Sequence, residues 1–289
     1  MSQKFHYGGQ ALIEGVMMLG QKHVAIALRH PNGTIITFTE PLGPIYSGRL
    51  RKMPLIRGLA ALGETLILGL RTLRYSAEIA SGVEKKGIGP ALLWGTLILG
   101  MVFAFILFLG LPLLATWGLD PLIKSPIVSN VIDGGIRLIV FIAYLWAIAF
   151  IPEVRRLFAY HGAEHKTVNA YEQGAALEVE AVREYSTAHP RCGTAFILIV
   201  LVLALIVFAF LGRPPLWLRF VERIALFPII VAISYEMMYL GARHIKNILF
   251  RALLTPALLL QALTTREPDD RQLEVAISAL KGALDADAE

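Results

Sequence analysis

GIGPALLWGTLILGMVFAFILFLGLPLLATWGL, residues 87–119, runs for 33 positions without a charged side chain. A helix needs about 20 mostly apolar residues to cross the hydrocarbon core of a bilayer. This stretch suffices even where Pro112 kinks or ends the helix. The composition agrees. The chain is 56% hydrophobic and 17% charged, with a mean hydropathy of +0.61, whereas soluble domains carry about 25% charged residues.

Three further runs read as spans. Cys192–Gly212 supplies 21 residues and Ile224–Ala242 supplies 19, interrupted once by Glu236. Leu138–Pro152 supplies only 15 but extends backwards through Asp133 and Arg137, which stand one helical turn apart and can pair near the interface. The expectation is an α-helical integral membrane protein of about four transmembrane helices, the membrane domain covering residues 87–242. Basic residues set the orientation. Residues 1–86 hold eleven Lys and Arg, the connection around 120–137 holds two, and the connection around 153–191 holds five. The positive-inside rule then places both termini and the 153–192 loop in the cytoplasm, although Arg213, Arg219 and Arg223 fall on the outer side. The net charge of +5 is explained by topology, and no nucleic-acid partner is expected. The single cysteine excludes an internal disulfide.

Outside the spans, residues 1–50 read as a β-rich cytoplasmic subdomain that could bind a protein partner. "HVAIALR" and "TIITFTE" flank His30-Pro-Asn-Gly33, a hairpin signal over about 23–40. "YGGQALIEGVMMLG" ahead of it offers another strand, with Glu14 either at a turn or reaching a site. Residues 51–86 read as an amphipathic interfacial helix. Its Arg57, Glu64, Arg71 and Glu78 recur every seven positions, and its leucines line another side. Residues 243–289 read as an interfacial helix and a polar, helical tail. In that tail Asp269 and Asp270 suit a helix start.

The polar connection at 153–192 carries the chemistry. His161-x-x-Glu164-His165 puts two imidazoles one turn apart on a helix, with Asn169 and Glu172 on the same face. The order H-x-x-E-H is the inverted zincin arrangement, in which the glutamate acts as general base. His189-x-x-Cys192 follows after a 23-residue gap, and each pair has a spacing used to bind zinc. Four ligands (His161, His165, His189, Cys192) would close a structural site. Three would leave a position open for chemistry, with Glu164 catalytic. Glu236, Glu172 and Glu14 are further candidates. An ionisable group in a span, such as Glu236, usually has a partner or a role; Arg243 and Arg223 are the available partners.

The segments YGGQALIEGVMMLG, FAYHGAEHKTVNAYE, HPRCGTAF and LTTREPDDRQLEVAI resemble, in order, signature segments of the YqhQ-like family, over residues 7–277. The function of that bacterial membrane-protein family is unknown, and its label as a metal-dependent enzyme rests on the same His/Glu/Cys pattern. The resemblance implies a bacterial plasma-membrane location. Three functional classes follow. The first is a zinc-dependent, or other divalent-metal, hydrolase. The second is a non-enzymatic membrane scaffold with a structural zinc clip. The third is a homo-oligomeric channel or transporter, its spans packed through Gly95, Gly100, Gly193 and Gly241.

Overall fold

A computed structural model describes residues 6–43, 53–80, 90–244 and 247–289. The chain is mostly helical, with a small antiparallel sheet near its N-terminus.

The sheet has four strands, not one hairpin with one added strand: β1 (Gly8–Leu12), β2 (Gly15–Leu19), β3 (His23–Arg29) and β4 (Ile35–Pro41), paired in chain order. YGGQALIEGVMMLG supplies two of them, because Glu14 takes a left-handed φ of 56° and turns the chain. The hairpin expected over 23–40 is β3–β4. Its turn depends on Gly33 at φ 91° and on Asn32 Oδ1, which accepts from the Thr34 backbone N–H at 3.0 Å.

The runs GVMML and HVAIALR do not alternate in polarity because both faces of the sheet are covered. On one face Val16, Met18, Ala25 and Ala27 pack with α5 (Pro152–Glu172) and α10 (Asp270–Ala288). On the other, Met17, Val24, Ile26 and Leu28 meet Leu68 of α1 (Ile56–Ala80). The expected polar tail is therefore a helix, but a largely buried one. Leu273, Ala276, Ile277, Leu280 and Ala283 recur at helical spacing and face the sheet. Asp269 caps it through a full capping box with Gln272, as the sequence suggested. At its far end Asp287 accepts from the backbone N–H groups of Gln21 (2.6 Å), Lys22 (2.9 Å) and His23 (3.1 Å). Burial alone would push the Asp287 carboxyl up. The Lys22 and Gln21 N–H groups, the Tyr7 hydroxyl and the His23 N–H outweigh it and hold the carboxyl below its ordinary range.

α1 reverses the usual amphipathic arrangement. It buries Gly58, Glu64, Leu68, Gly69, Thr72 and Ser76, a mostly small and polar stripe, against the sheet and α8 (Leu216–Arg243). Leu59, Leu66, Ile67 and Leu70 stay exposed, Ile67 by 70%.

The helical bundle starts with α2 (Pro90–Phe105), which passes through a π-helical turn (Ile106–Gly110) into α3 (Leu111–Leu119). The expected start at Gly87 lies outside the described residues. Pro112 has no N–H to give the Phe108 carbonyl one turn back; Arg137 Nε donates to it instead, at 3.0 Å. α4 (Pro126–Ile148), α7 (Gly193–Ala209), α8 and α9 (Ile248–Thr264) complete the bundle, with α7 packed on the other three. Among the described residues, two helical stretches are long and apolar enough to cross a membrane, Trp94–Leu122 and Pro126–Ile148. The other two expected spans fall on α7, of 17 residues, and on α8, which carries Arg219, Glu222, Arg223 and Glu236.

The bundle has charges inside and apolar side chains outside. Asp133, buried rather than interfacial, accepts from Arg137 (2.9 Å) and Arg223 (3.1 Å). Leu99 and Met101 are exposed by 70% and 72%.

Two outcomes follow. Asp133→Ala leaves two buried guanidiniums without their carboxylate, so detergent-solubilised protein should lose about 3–5 kcal/mol of stability, read as a fall in Tm. Asp287→Ala should cost about 2 kcal/mol. The wild-type contribution of Asp287 is present above the ordinary aspartate range and is lost as pH falls, because its folded pKa is depressed. The Tm gap between wild type and Asp287→Ala should therefore shrink on acidification.

Candidate metal centre

α5 begins at Pro152, a residue suited to the first helical position. Its middle is buried nearly all round although it contains Glu164, His165, Lys166 and Thr167. Each such group needs a partner at hand. Thr167 Oγ1 donates to the Ala163 carbonyl at 2.8 Å. Lys166 Nζ donates to the Arg183 carbonyl at 2.7 Å and lies 2.6 Å from Glu267.

The two histidines are held in the same way. His161 Nδ1 lies 2.8 Å from the carbonyl of Thr264, at the end of α9, and His165 Nδ1 lies 2.5 Å from the carbonyl of Thr187. A carbonyl oxygen only accepts, so each Nδ1 carries the hydrogen. Each Nε2 then presents a lone pair. The rings sit edge to face, 4.3 Å between centroids. Cys192, the N-cap of α7, places its Sγ 3.2 Å from His161 Nε2. One ligand atom from each of His161, His165 and Cys192 falls within 4.8 Å of the others. Glu164 Oε2 stands 3.5 Å from His165 Nε2. Three electron-rich side chains, His161, His165 and Cys192, thus converge on one largely buried spot, with the Glu164 carboxylate beside one of them, His165. Carbonyl-anchored imidazoles are the usual support of a metal-ligating histidine, so the donor set fits a zinc-like ion.

Glycines allow the anchoring segments to come close. A Cβ on Gly162 would collide with the carbonyl of Arg266, whose own N–H donates to the Phe158 carbonyl at 2.9 Å. A Cβ on Gly9 would meet the Met17 carbonyl and Glu164 Cγ. The glycine in HGAEH and the second glycine of YGGQ are therefore contact points between α5 and two distant segments.

His189 is buried next to the cluster, its ring centroid 5.6 Å from that of His165, but it belongs to a different set of contacts. Its Nε2 faces Glu172 Oε2 at 3.8 Å. Its backbone is clamped by Gln261, which accepts from the His189 N–H and donates to the His189 carbonyl, both at 2.8 Å. Burial pushes the Glu172 carboxyl up, but hydrogen bonding to His189, the charge of Arg191 and a bond from His6 prevail and lower it to about 2. Asn169, on the same face, donates to the carbonyls of Ser186 (2.8 Å) and Ala188 (3.1 Å). The face 161/165/169/172 is thus one continuous seam with the 186–192 segment.

The other candidates lie apart from the cluster. Glu14 pairs with Arg156 and accepts from the Tyr160 hydroxyl at 3.2 Å. Glu236 pairs neither with Arg243 nor with Arg223. It receives Arg57 Nε at 2.7 Å and the Leu55 N–H at 3.0 Å, fastening the start of α1 to α8. α1 packs along α8, which brings Arg57 to it, whereas Arg223 is taken by Asp133. Sequence reasoning missed Thr187, Thr264 and Gln261. Two of these act through backbone carbonyls, which leave no side-chain pattern, although Thr264 lies inside one of the recognised segments.

The Bacillus subtilis (strain 168) protein described as "Uncharacterized protein YqhQ" is 34% identical over 299 residues, an alignment covering 98% of this chain and 93% of that protein. No solved structure matches the chain. The family model described as "Protein of unknown function (DUF1385)" matches residues 53–286. The chain belongs to this family, the YqhQ-like proteins of unknown function.

Proposed function

We propose that this is a multi-pass protein of the bacterial plasma membrane and a metal-dependent hydrolase, with zinc held by His161, His165 and Cys192 and Glu164 as general base on the cytoplasmic side. The observation that carries the reading is the pair of Nδ1–H···O=C bonds, to Thr264 and Thr187, together with His161 Nε2 at 3.2 Å from Cys192 Sγ and one ligand atom from each of His161, His165 and Cys192 within 4.8 Å of the others. The inverted polarity of the bundle supports the membrane part, because a water-soluble protein rarely exposes so much contiguous apolar surface. The distribution of Lys and Arg supports cytoplasmic termini and a cytoplasmic α5.

Zinc at this spot would supply a Lewis acid and bring the pKa of a water to about 7. The protein's own residues do the rest. Glu164 Oε2 is on the Nε2 side of His165, where a carboxylate can take a proton from an attacking water and return it to a leaving group. The two carbonyl bonds fix the ring orientation and the Nδ1–H tautomer of both imidazoles. Burial on all sides of α5 limits bulk water. The His189 ring facing Glu172, outside the group formed by His161, His165 and Cys192, favours three protein ligands and an open position over a closed four-ligand clip.

Elemental analysis of purified protein should find about one zinc per chain. His161→Ala, His165→Ala and Cys192→Ser should each lose it, while His189→Ala and Glu164→Gln retain it. Loss of zinc from His189→Ala would instead establish the clip. Glu164→Gln should lower the activity, or complementation of a deletion strain, by the 10²–10⁴-fold that a general base typically contributes. A Glu164→Gln protein that binds zinc and complements fully would sink the hydrolase. Gly162→Ala, which pushes away the segment carrying the Thr264 carbonyl, should lower zinc occupancy without touching a ligand.

A further inference from the structure

A cleft of about 480 Å³ opens beside the cluster, within the ~300–1,000 Å³ of small-molecule sites. It lies between the sheet and four helices, α1, α5, α7 and α8. Its walls are largely apolar: Leu62 and Leu68 from α1, Phe158 from α5, Phe196 from α7 and Met238 from α8. One end is polar, formed by His161, Arg191, Cys192 and Thr194. A site for a small hydrophilic substrate would not be expected to have such walls, since apolar lining selects apolar ligand surface.

The wall helices indicate the source of the ligand. α1 lines the cleft with Leu62 and Leu68 while leaving Leu59, Leu66, Ile67 and Leu70 exposed on its other sides. α8 lines it with Tyr235 and Met238 and exposes Ile229, Ile233 and Leu240. The two helices that wall the cleft thus also belong to the apolar exterior of the bundle. They are fastened to each other by Arg57–Glu236 and by Tyr235 packed over Gly58, where a Cβ would meet the tyrosine ring.

We propose that the cleft holds a hydrocarbon chain of a membrane lipid, with the lipid head directed at His161, Cys192 and Thr194. In its role as substrate this lipid rests on the metal reading above; its binding in the cleft rests on the cleft alone. The lipid chain leaves one hydrocarbon environment for another, so the cleft holds it by shape and van der Waals packing. The chain thus serves to position the head, and with it the bond to be cleaved, at the ligand cluster.

The test uses the full-length protein in bilayer nanodiscs doped with a phospholipid bearing a photoactivatable diazirine on one acyl chain. After irradiation the labelled residues are mapped by mass spectrometry, and zinc is measured on the same samples. Wild type should be labelled on cleft residues of α1, α5 and α8. Leu62→Trp and Ala61→Phe each fill the cleft from α1 and should lower that labelling to near the level of the outer surface by occupying the space of the chain, with zinc unchanged. Leu66→Trp, on the exposed ridge of α1, should change neither. Cys192→Ser should lose zinc yet keep the cleft label. Labelling confined to the outer surface, or cleft labelling indifferent to both filling variants, would overturn the proposal whatever the zinc content. Cleft labelling in a wild-type protein that holds no zinc would uphold lipid binding and remove the metal reading instead.

Discussion

Two hydrogen bonds from imidazole to backbone carbonyl determine what the centre of this molecule can be. A histidine ring has two nitrogens and, when neutral, one hydrogen, so fixing the hydrogen on Nδ1 fixes the lone pair on Nε2. Thr264 and Thr187 do this for His161 and His165 from two separate downstream segments, one at the end of α9 and one before α7. The same two segments cover the buried middle of α5. The rotational state of two side chains and the packing of a buried polar helix therefore share one set of contacts, and neither can change alone.

Much of this was legible in the sequence where the signal is local. The helical spacing of His161 and His165, the turn at Asn32–Gly33, the pairing of Asp133 with Arg137 and the capping of a helix by Asp269 depend on residues within a few positions of one another. What was not legible depends on distant neighbours. Glu236 was given a partner from its own half of the chain, but the arginine that reaches it is Arg57, brought there by the packing of α1 on α8. The end of the chain looked like a solvated tail because Asp and Glu are frequent in it. Its alanines and leucines, which pack on the sheet, became meaningful only with that sheet in place. His189 has good ligand spacing with Cys192, yet its ring faces Glu172 and its backbone is held by Gln261; Glu172 was legible only as a neighbour on the α5 face and a further candidate, not as the partner of His189.

The bundle obeys a second constraint. Pro112 leaves the Phe108 carbonyl without its helical donor, and the side chain that fills the vacancy, Arg137, must itself be neutralised. Asp133 does so and is shared with Arg223, so one break in one helix draws in charges from α4 and α8. Both guanidiniums also lie near the face of Phe208, at 5.5 and 5.2 Å from its centroid, an arrangement in which the ring quadrupole attracts cations.

The docking of α10 on the sheet has a consequence in time. The strands near the N-terminus are synthesised first, but one face of their sheet, on which α5 also packs, is not fully covered until α10 has been made, and Asp287 then clasps the turn at residues 21–23. The Thr264 carbonyl likewise arrives about a hundred residues after His161. Chains begin to fold from the N-terminus during synthesis, yet here the His161 ring cannot be locked until residue 264 has emerged. Between residues 192 and 264 a nascent chain thus carries the thiol and the His161 ring without the Thr264 contact, while the Thr187 carbonyl for His165 is already made. A product truncated before α9 ends would leave part of the sheet face without α10 and the His161 ring without its Thr264 contact at the same time.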